Sequence, residues 1–111
     1  MTKAQALADA LNSDQLIQMY RQMHRIRAFE LTVLKAVERG LVAGGPHLYV
    51  GEEAVAVGVC TALETQDYIT STHRGHGHLI AKGGQLKPML AEIFGKATGY
   101  CKGKGGTMHI A

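Results

Sequence analysis

Between residues 16 and 37, apolar side chains recur at intervals of three and four: Leu16, Met19, Tyr20, Met23, Ile26, Phe29, Val33 and Val37. That spacing puts one apolar face on a helix. Arg21, Arg25, Lys35 and Glu38 fall largely on the opposite side. Asn12 and Gln15 form a capping-box pattern, N-x-x-Q, ahead of the stripe, and Gly40 marks its end. At 1.5 Å rise per residue the helix would be roughly 38 Å long, which is much for a chain of 111 residues. It is expected to pack across a larger body or against a partner.

Composition limits what the rest can be. The chain has room for at most one domain of ordinary size. An apolar fraction of 46% suits a globular chain and argues against disorder. Aromatic residues make up 5% and Trp is missing, so the core is expected to use Leu, Ile, Val, Met and Ala. The formal charge of +3 is spread from Lys3 to Lys104 and is not a nucleic-acid footprint. Cys60 and Cys101 make no CxxC, which argues against a disulfide scaffold and suits a reducing cytoplasm. The opening residues, MTKAQALADALNSD, lack an apolar run of signal-peptide length, and no later segment reads as a membrane span.

Residues 1–15 read as an N-terminal arm, frayed or a short Ala-rich helix, and residues 16–111 as the folded part. After the long helix, Gly44, Gly45 and Pro46 mark a loop that carries His47. Glu52 and Glu53 open a second helix, where carboxylates suit the positive end of the helix dipole. Residues 54–63 are apolar all round, which predicts a buried helix with Cys60 as a small buried hydrophobe. Gly83 and Gly84 break the chain. Residues 85–94 read as a further helix, with Pro88 in its first turn and Gly95 as its stop. In the tail, KATGYCKGKGGTMHIA, the run KGKGG reads as a glycine-rich loop with two cations, Lys102 and Lys104.

Between these helices, residues 67–78 read DYITSTHRGHGH. Tyr68, Ile69, Thr70 and Thr72 are aromatic or β-branched and predict a strand. Arg74, Gly75, Gly77 and three histidines then form a turn, and Leu79, Ile80 and Ala81 read as the start of a short helix. A strand, a small-residue turn and a helix N-terminus form the place where α/β proteins bind anions. Arg74 adds a forked cation, and the glycines let backbone approach a ligand. The turn is expected to face a phosphate-bearing ligand.

Other readings stand beside this one. His73, His76 and His78 form H-x-x-H-x-H, which lacks the i, i+4 spacing of a helical zinc pair and has no cysteine nearby. A small metal-binding module that adds His109 to these is one rival, and a solvated turn with incidental histidines is another. A third is a non-catalytic interaction piece that docks through the long helix. Gly75-x-Gly77 is not the dinucleotide fingerprint, which needs a third glycine. The KGKGG run lacks the GK[ST] step of a phosphate loop and equally reads as a flexible surface loop. Alone, His47 reads as a loop histidine without a role, and His24 as surface or partner-facing.

Three segments taken together narrow the choice: HLYVGEEAVAVG (47–58), DYITSTHRGHGHLIAKG (67–83) and GKATGYCKGKGGTMHIA (95–111). With the IRAFE stretch of the long helix, they resemble the α subunit of thiamine-diphosphate-dependent 2-oxo acid dehydrogenases, in order and spacing across residues 16–111. HRGHGH with the MHIA ending is most similar to the acetoin dehydrogenase branch. The pyruvate branch more often carries Tyr-Arg where this chain has His73 and Arg74. The resemblance implies an α/β chain, the N-terminal portion of a thiamine-diphosphate-binding fold, mostly helical here with one or two short strands.

The resemblance also implies roles. His47 matches a histidine of the active-site channel, near cofactor and substrate. His73 and Arg74 match a pair that contacts the cofactor diphosphate, and His109 matches a further active-site histidine. The expected cofactors are thiamine diphosphate and Mg2+. The family's metal motif, GDG followed by an asparagine, is absent, so the magnesium ligands are expected beyond Ala111 and none within the chain. The chain then reads as the N-terminal piece of a longer subunit, marginal and inactive alone. The implied partners are an E1 β-type subunit in a heterotetramer, a lipoyl-bearing acyltransferase and a small ketone or 2-oxo acid. The implied reaction cleaves acetoin or a 2-oxo acid such as pyruvate and passes the acyl group to lipoamide. His47 and His109 would manage protons, since imidazole exchanges them near neutral pH.

Overall fold

The computed structural model describes residues 1–111, with side chains at every position except 4, 7 and 8. Its elements in order are α1 (Lys3–Asp9), α2 (Ser13–Glu38), α3 (Glu53–Thr61), α4 (His76–Ala81) and α5 (Leu86–Ile93). Asn12 starts α2 as its residue type predicts. Its side chain accepts from the Gln15 N–H while the Gln15 side chain accepts from the Asn12 N–H, both at 2.9 Å, so two orphan donors are satisfied by one local exchange. At the other end Gly40 takes φ +69. The Gly40 and Leu41 N–H groups donate to the carbonyls of Val37 and Ala36 at 2.8 and 2.9 Å, a glycine-capped stop.

The C-terminal half of the stripe forms the core. Ile26, Phe29, Val33 and Ala36 of α2 join Ala56 and Val57 of α3, Ile80 of α4, and Met89 and Ile93 of α5. Val42, Tyr49 and Ile110 enter the same core from the connecting segments. The buried ring of Tyr49 seats the 42–52 loop on α4. A Cβ on Gly77 would lie 2.4 Å from Tyr49 Cδ1, so only glycine lets the ring lie against that helix. The start of the stripe is different: Leu16 and Tyr20 remain exposed.

Three local expectations change. The strand expected at residues 68–72 is absent; among the described residues there is no β-strand. The segment runs without regular structure, with Tyr68 and Ile69 exposed. A strand is defined by pairing, and an extended segment with no neighbour leaves its backbone groups to water. The short helix after the turn begins at His76, not at Leu79, so His76 and Gly77 belong to its first turn and are buried. Finally, α3 is buried on one face only. Ala56, Val57 and Cys60 face inward, while Val55 and Val59 are 61% and 57% exposed. A hollow of about 230 Å³ opens beside these valines, lined also by Ile69, Thr70 and His78. The helix carries an all-round apolar sequence, but the chain supplies cover for only one side.

Candidate active site

The loop that carries His47 is shaped by glycine. Gly44 takes φ +88 and Gly51 φ +95, conformations that cost a side chain dearly. Gly51 donates its N–H to Glu53 Oε2 at 3.0 Å. Glu53 also accepts from the Arg27 guanidinium of α2. The Arg27 hydrogen bond holds the Glu53 carboxyl below its ordinary range; burial opposes this and is outweighed, with the helix's own N–H and the Gly51 N–H adding to the lowering. Buried Tyr49 fixes the middle of the loop, so exposed His47 is held two residues from a core anchor.

The turn at residues 73–75 meets this loop. The rings of His47 and His73 stand edge to face, with centroids 4.5 Å apart and planes at 78°. Arg74 donates from Nη1 to the Leu48 carbonyl, and its Nε lies 3.9 Å from Glu52 Oε1, a long pair with a half-exposed carboxylate. The guanidinium has five N–H donors, so these contacts leave part of its fork free. Among the described residues neither His47 nor His73 pairs with a carboxylate. Two imidazoles and a guanidinium thus lie where these two segments meet, groups of a kind that suit an oxyanion such as a diphosphate. His109 takes no part in this ring contact. It sits exposed on the C-terminal loop, its N–H donating to the Gly105 carbonyl at 3.3 Å.

His76 has a different task. Its ring is 1% exposed, with Nδ1 at 2.8 Å from Glu30 Oε1 and Nε2 at 2.9 Å from the Thr107 carbonyl. It ties α2, α4 and the C-terminal loop together from inside the core. The His78 and Tyr49 rings stand edge to face with centroids 5.3 Å apart. The metal-module reading therefore fails on geometry: His76 is engaged inside, while His73 lies on the exposed turn. Among the described residues no three His, Cys, Asp or Glu side chains gather where a metal ion could sit. His24 is exposed and stacks edge to face on Tyr20 at 4.5 Å.

The glycine-rich tail is no phosphate cradle. Its N–H groups converge on a carboxylate of the chain itself. Glu92 Oε2 accepts from Cys101 and Gly103, each at 2.8 Å, and Oε1 accepts from Gly105 at 2.7 Å and Gly106 at 3.3 Å. Glu92 is 0% exposed. Burial acts to raise its carboxyl, but the four N–H groups outweigh it and hold the group below its ordinary range. Neither Glu30 nor Glu92 is marked in the sequence as more than a polar position near an apolar stripe. The one available hint was the cluster of glycines downstream of Glu92, which needs an acceptor for its N–H groups.

Residues 20–111 match the family model described as dehydrogenase E1 component. The α subunit of acetoin:2,6-dichlorophenolindophenol oxidoreductase from Bacillus subtilis strain 168 is 60% identical over 102 residues, 92% of this chain and 31% of that protein. The subunit of the same description from Cupriavidus necator is 50% identical over 101 residues, 91% of this chain and 30% of that protein. The pyruvate dehydrogenase E1 component subunit alpha of Zymomonas mobilis is 44% identical over 98 residues, 87% of this chain and 28% of that protein. The chain spans about 30% of the length of such curated relatives.

Proposed function

Because the chain belongs to the dehydrogenase E1 component family, we propose that it forms part of an α subunit that uses thiamine diphosphate to cleave acetoin, or a 2-oxo acid such as pyruvate. The acyl group would pass to lipoamide on a lipoyl-bearing acyltransferase. The reading favours acetoin, since the relatives at 60% and 50% identity carry that substrate in their descriptions. Residues 1–15 are read as an arm and 16–111 as the N-terminal part of the thiamine-diphosphate-binding domain. The bare valine face of α3 suits cover by further sheet or by an E1 β-type subunit. The free thiols of Cys60 and Cys101 suit a cytoplasmic setting.

One observation supports the reading: the His47 and His73 rings meet and Arg74 reaches the Leu48 carbonyl, so two separate segments are joined at these residues. These residues fit a diphosphate. Arg74 would bind it with the free part of its fork, steadied by the Leu48 carbonyl. His73 would donate a further hydrogen bond, and Glu52 limits how much negative charge the Arg74 side can take. His47 and His109 would hold or move a proton at a ring nitrogen. When bound, thiamine diphosphate supplies a carbon nucleophile for the substrate carbonyl and a sink for the electrons released. A magnesium ion on the diphosphate would take its ligands from outside residues 1–111.

Calorimetric titration of thiamine diphosphate into the subunit assembled with its β-type partner tests the binding, and dye reduction driven by acetoin or pyruvate tests the chemistry. Saturable binding together with acetoin-dependent reduction is expected. Absence of binding with magnesium present would overturn the reading.

A further inference from the structure

We propose that Glu92 is the positioning residue for His109: its carboxylate sets the loop that presents this imidazole. The inference rests on the reading that His109 belongs to the active site.

Within residues 101–106 the backbone makes a single bond of its own, from the Lys104 N–H to the Cys101 carbonyl at 3.1 Å. Lys102 takes φ +56, Gly103 φ +79 and Gly106 φ +64, and glycine-rich backbone loses the most freedom on ordering. What gathers the loop is one buried acid at the end of α5. The glycines are shaped to that acid and to the helix end. A Cβ on Gly99 would lie 2.3 Å from Glu92 Oε2, and one on Gly103 would lie 2.5 Å from the Gly95 carbonyl carbon.

Gly105 passes the constraint on. Its N–H donates to Glu92 Oε1 at 2.7 Å, and its carbonyl accepts the His109 N–H at 3.3 Å. A Cβ on Gly105 would lie 1.8 Å from the His109 carbonyl oxygen. The same residue is thus gripped by Glu92 and pressed on the His109 backbone. Two further anchors bracket His109. On one side the Thr107 carbonyl meets His76 at 2.9 Å, and on the other Ile110 enters the core. Of these constraints, Glu92 is the one that acts through the loop itself.

The full chain, with its histidines carbon-13 labelled, provides the test by nuclear magnetic resonance. E92Q keeps the volume but replaces one carboxylate oxygen by an NH2 group, so some of the four N–H groups lose their acceptor. The amide signals of Cys101, Gly103, Gly105 and Gly106 are expected to move upfield. The His109 ring signal should move by more than its linewidth while those of His47 and His73 hold their places. A His109 signal that stays put while the four amides move overturns the proposal, and so do His47 and His73 signals that move as far as His109. If E92Q does not fold, an acid titration of the unaltered chain decides. The Glu92 carboxyl carbon, the four amides and the His109 amide should then share one midpoint that the His47 and His73 amides lack; a His109 amide without that inflection overturns the proposal. The catalytic role of His109 is read separately. Undiminished turnover by H109N in the assembled enzyme would remove that role and leave the link between Glu92 and His109 intact.

Discussion

The Nδ1 atom of His76 lies 2.8 Å from Oε1 of Glu30, and both side chains are out of reach of solvent. The Thr107 carbonyl can only accept, so Nε2 of His76 carries a proton. Nδ1 meets the Glu30 carboxyl in a part of the core that water does not touch. The second oxygen of Glu30 is buried with no partner. The Phe29 and His76 rings stand edge to face with centroids 5.8 Å apart.

Removing Glu30 should therefore be costly. E30A strands a buried imidazole nitrogen, and breaking a buried pair from one side costs about 3–5 kcal/mol. Urea unfolding followed by far-ultraviolet circular dichroism reads the loss. A change under about 1 kcal/mol would mean that the pair is ornamental, at the level of a surface ion pair.

Acid should destabilise the fold. Glu53 and Glu92 both have carboxyls held below the ordinary glutamate value of 4.5. A group depressed in the folded state binds more protons when unfolded, so its stabilisation is complete above the unfolded value and is lost as pH falls through the folded one. Thermal melts should be flat in this respect from neutrality down to about pH 5 and decline below that. E53Q should flatten part of the decline, and an unaltered slope would remove Glu53 from the account.

Arg74→Ala in the assembled enzyme should weaken thiamine diphosphate binding by roughly 1.5–3 kcal/mol, the worth of a charged hydrogen bond. The variant also releases the Leu48 carbonyl, so the 42–52 loop should show faster amide exchange. An unchanged cofactor dissociation constant would take Arg74 out of the site.

Gly77→Ala drives a methyl group into the Tyr49 ring, which lies 2.4 Å from where that carbon would sit. Overpacking of this kind costs about 1–3 kcal/mol. The near-ultraviolet tyrosine signal should weaken along with the melting temperature, because Tyr49 must leave its seat. A variant with the wild-type signal and stability would show that the ring adjusts freely.

The two thiols should react at different rates. Burial pushes the Cys60 thiol up, with Lys82 only partly offsetting it, and thiolate is the reactive form. Cys101 is partly exposed. A disulfide reagent at neutral pH should label one thiol quickly, and C101S should abolish that fast phase. A fast phase that survives in C101S would place Cys60 at the surface.

What the sequence made legible was local. The Asn12–Gln15 box, the three-and-four stripe of α2 and the glycine stop at Gly40 depend on neighbours within a few residues, and each stands where its spacing puts it. The convergence of His47 with His73 and Arg74 was reachable only through the resemblance of whole segments, since 26 residues separate Leu48 from Arg74. Three features were out of reach. The strand expected at 68–72 needs a neighbour to exist at all. His76 looked like a ligand-facing member of the HRGHGH turn, yet it lies in the core, because its acceptors on Glu30 and Thr107 come from distant parts of the chain. Glu92 carries no mark of its own in the sequence, and its role is visible only once the glycine loop has folded back over the helix end.

That loop carries a broader consequence. A phosphate approaching residues 101–106 meets donors already occupied by a tethered carboxylate, whose effective concentration is on the order of millimolar or higher. Free anions at ordinary levels lose such a competition. The segment that resembles a phosphate binder in composition should therefore ignore inorganic phosphate and nucleotides alike, leaving anion recognition to the histidine and arginine face.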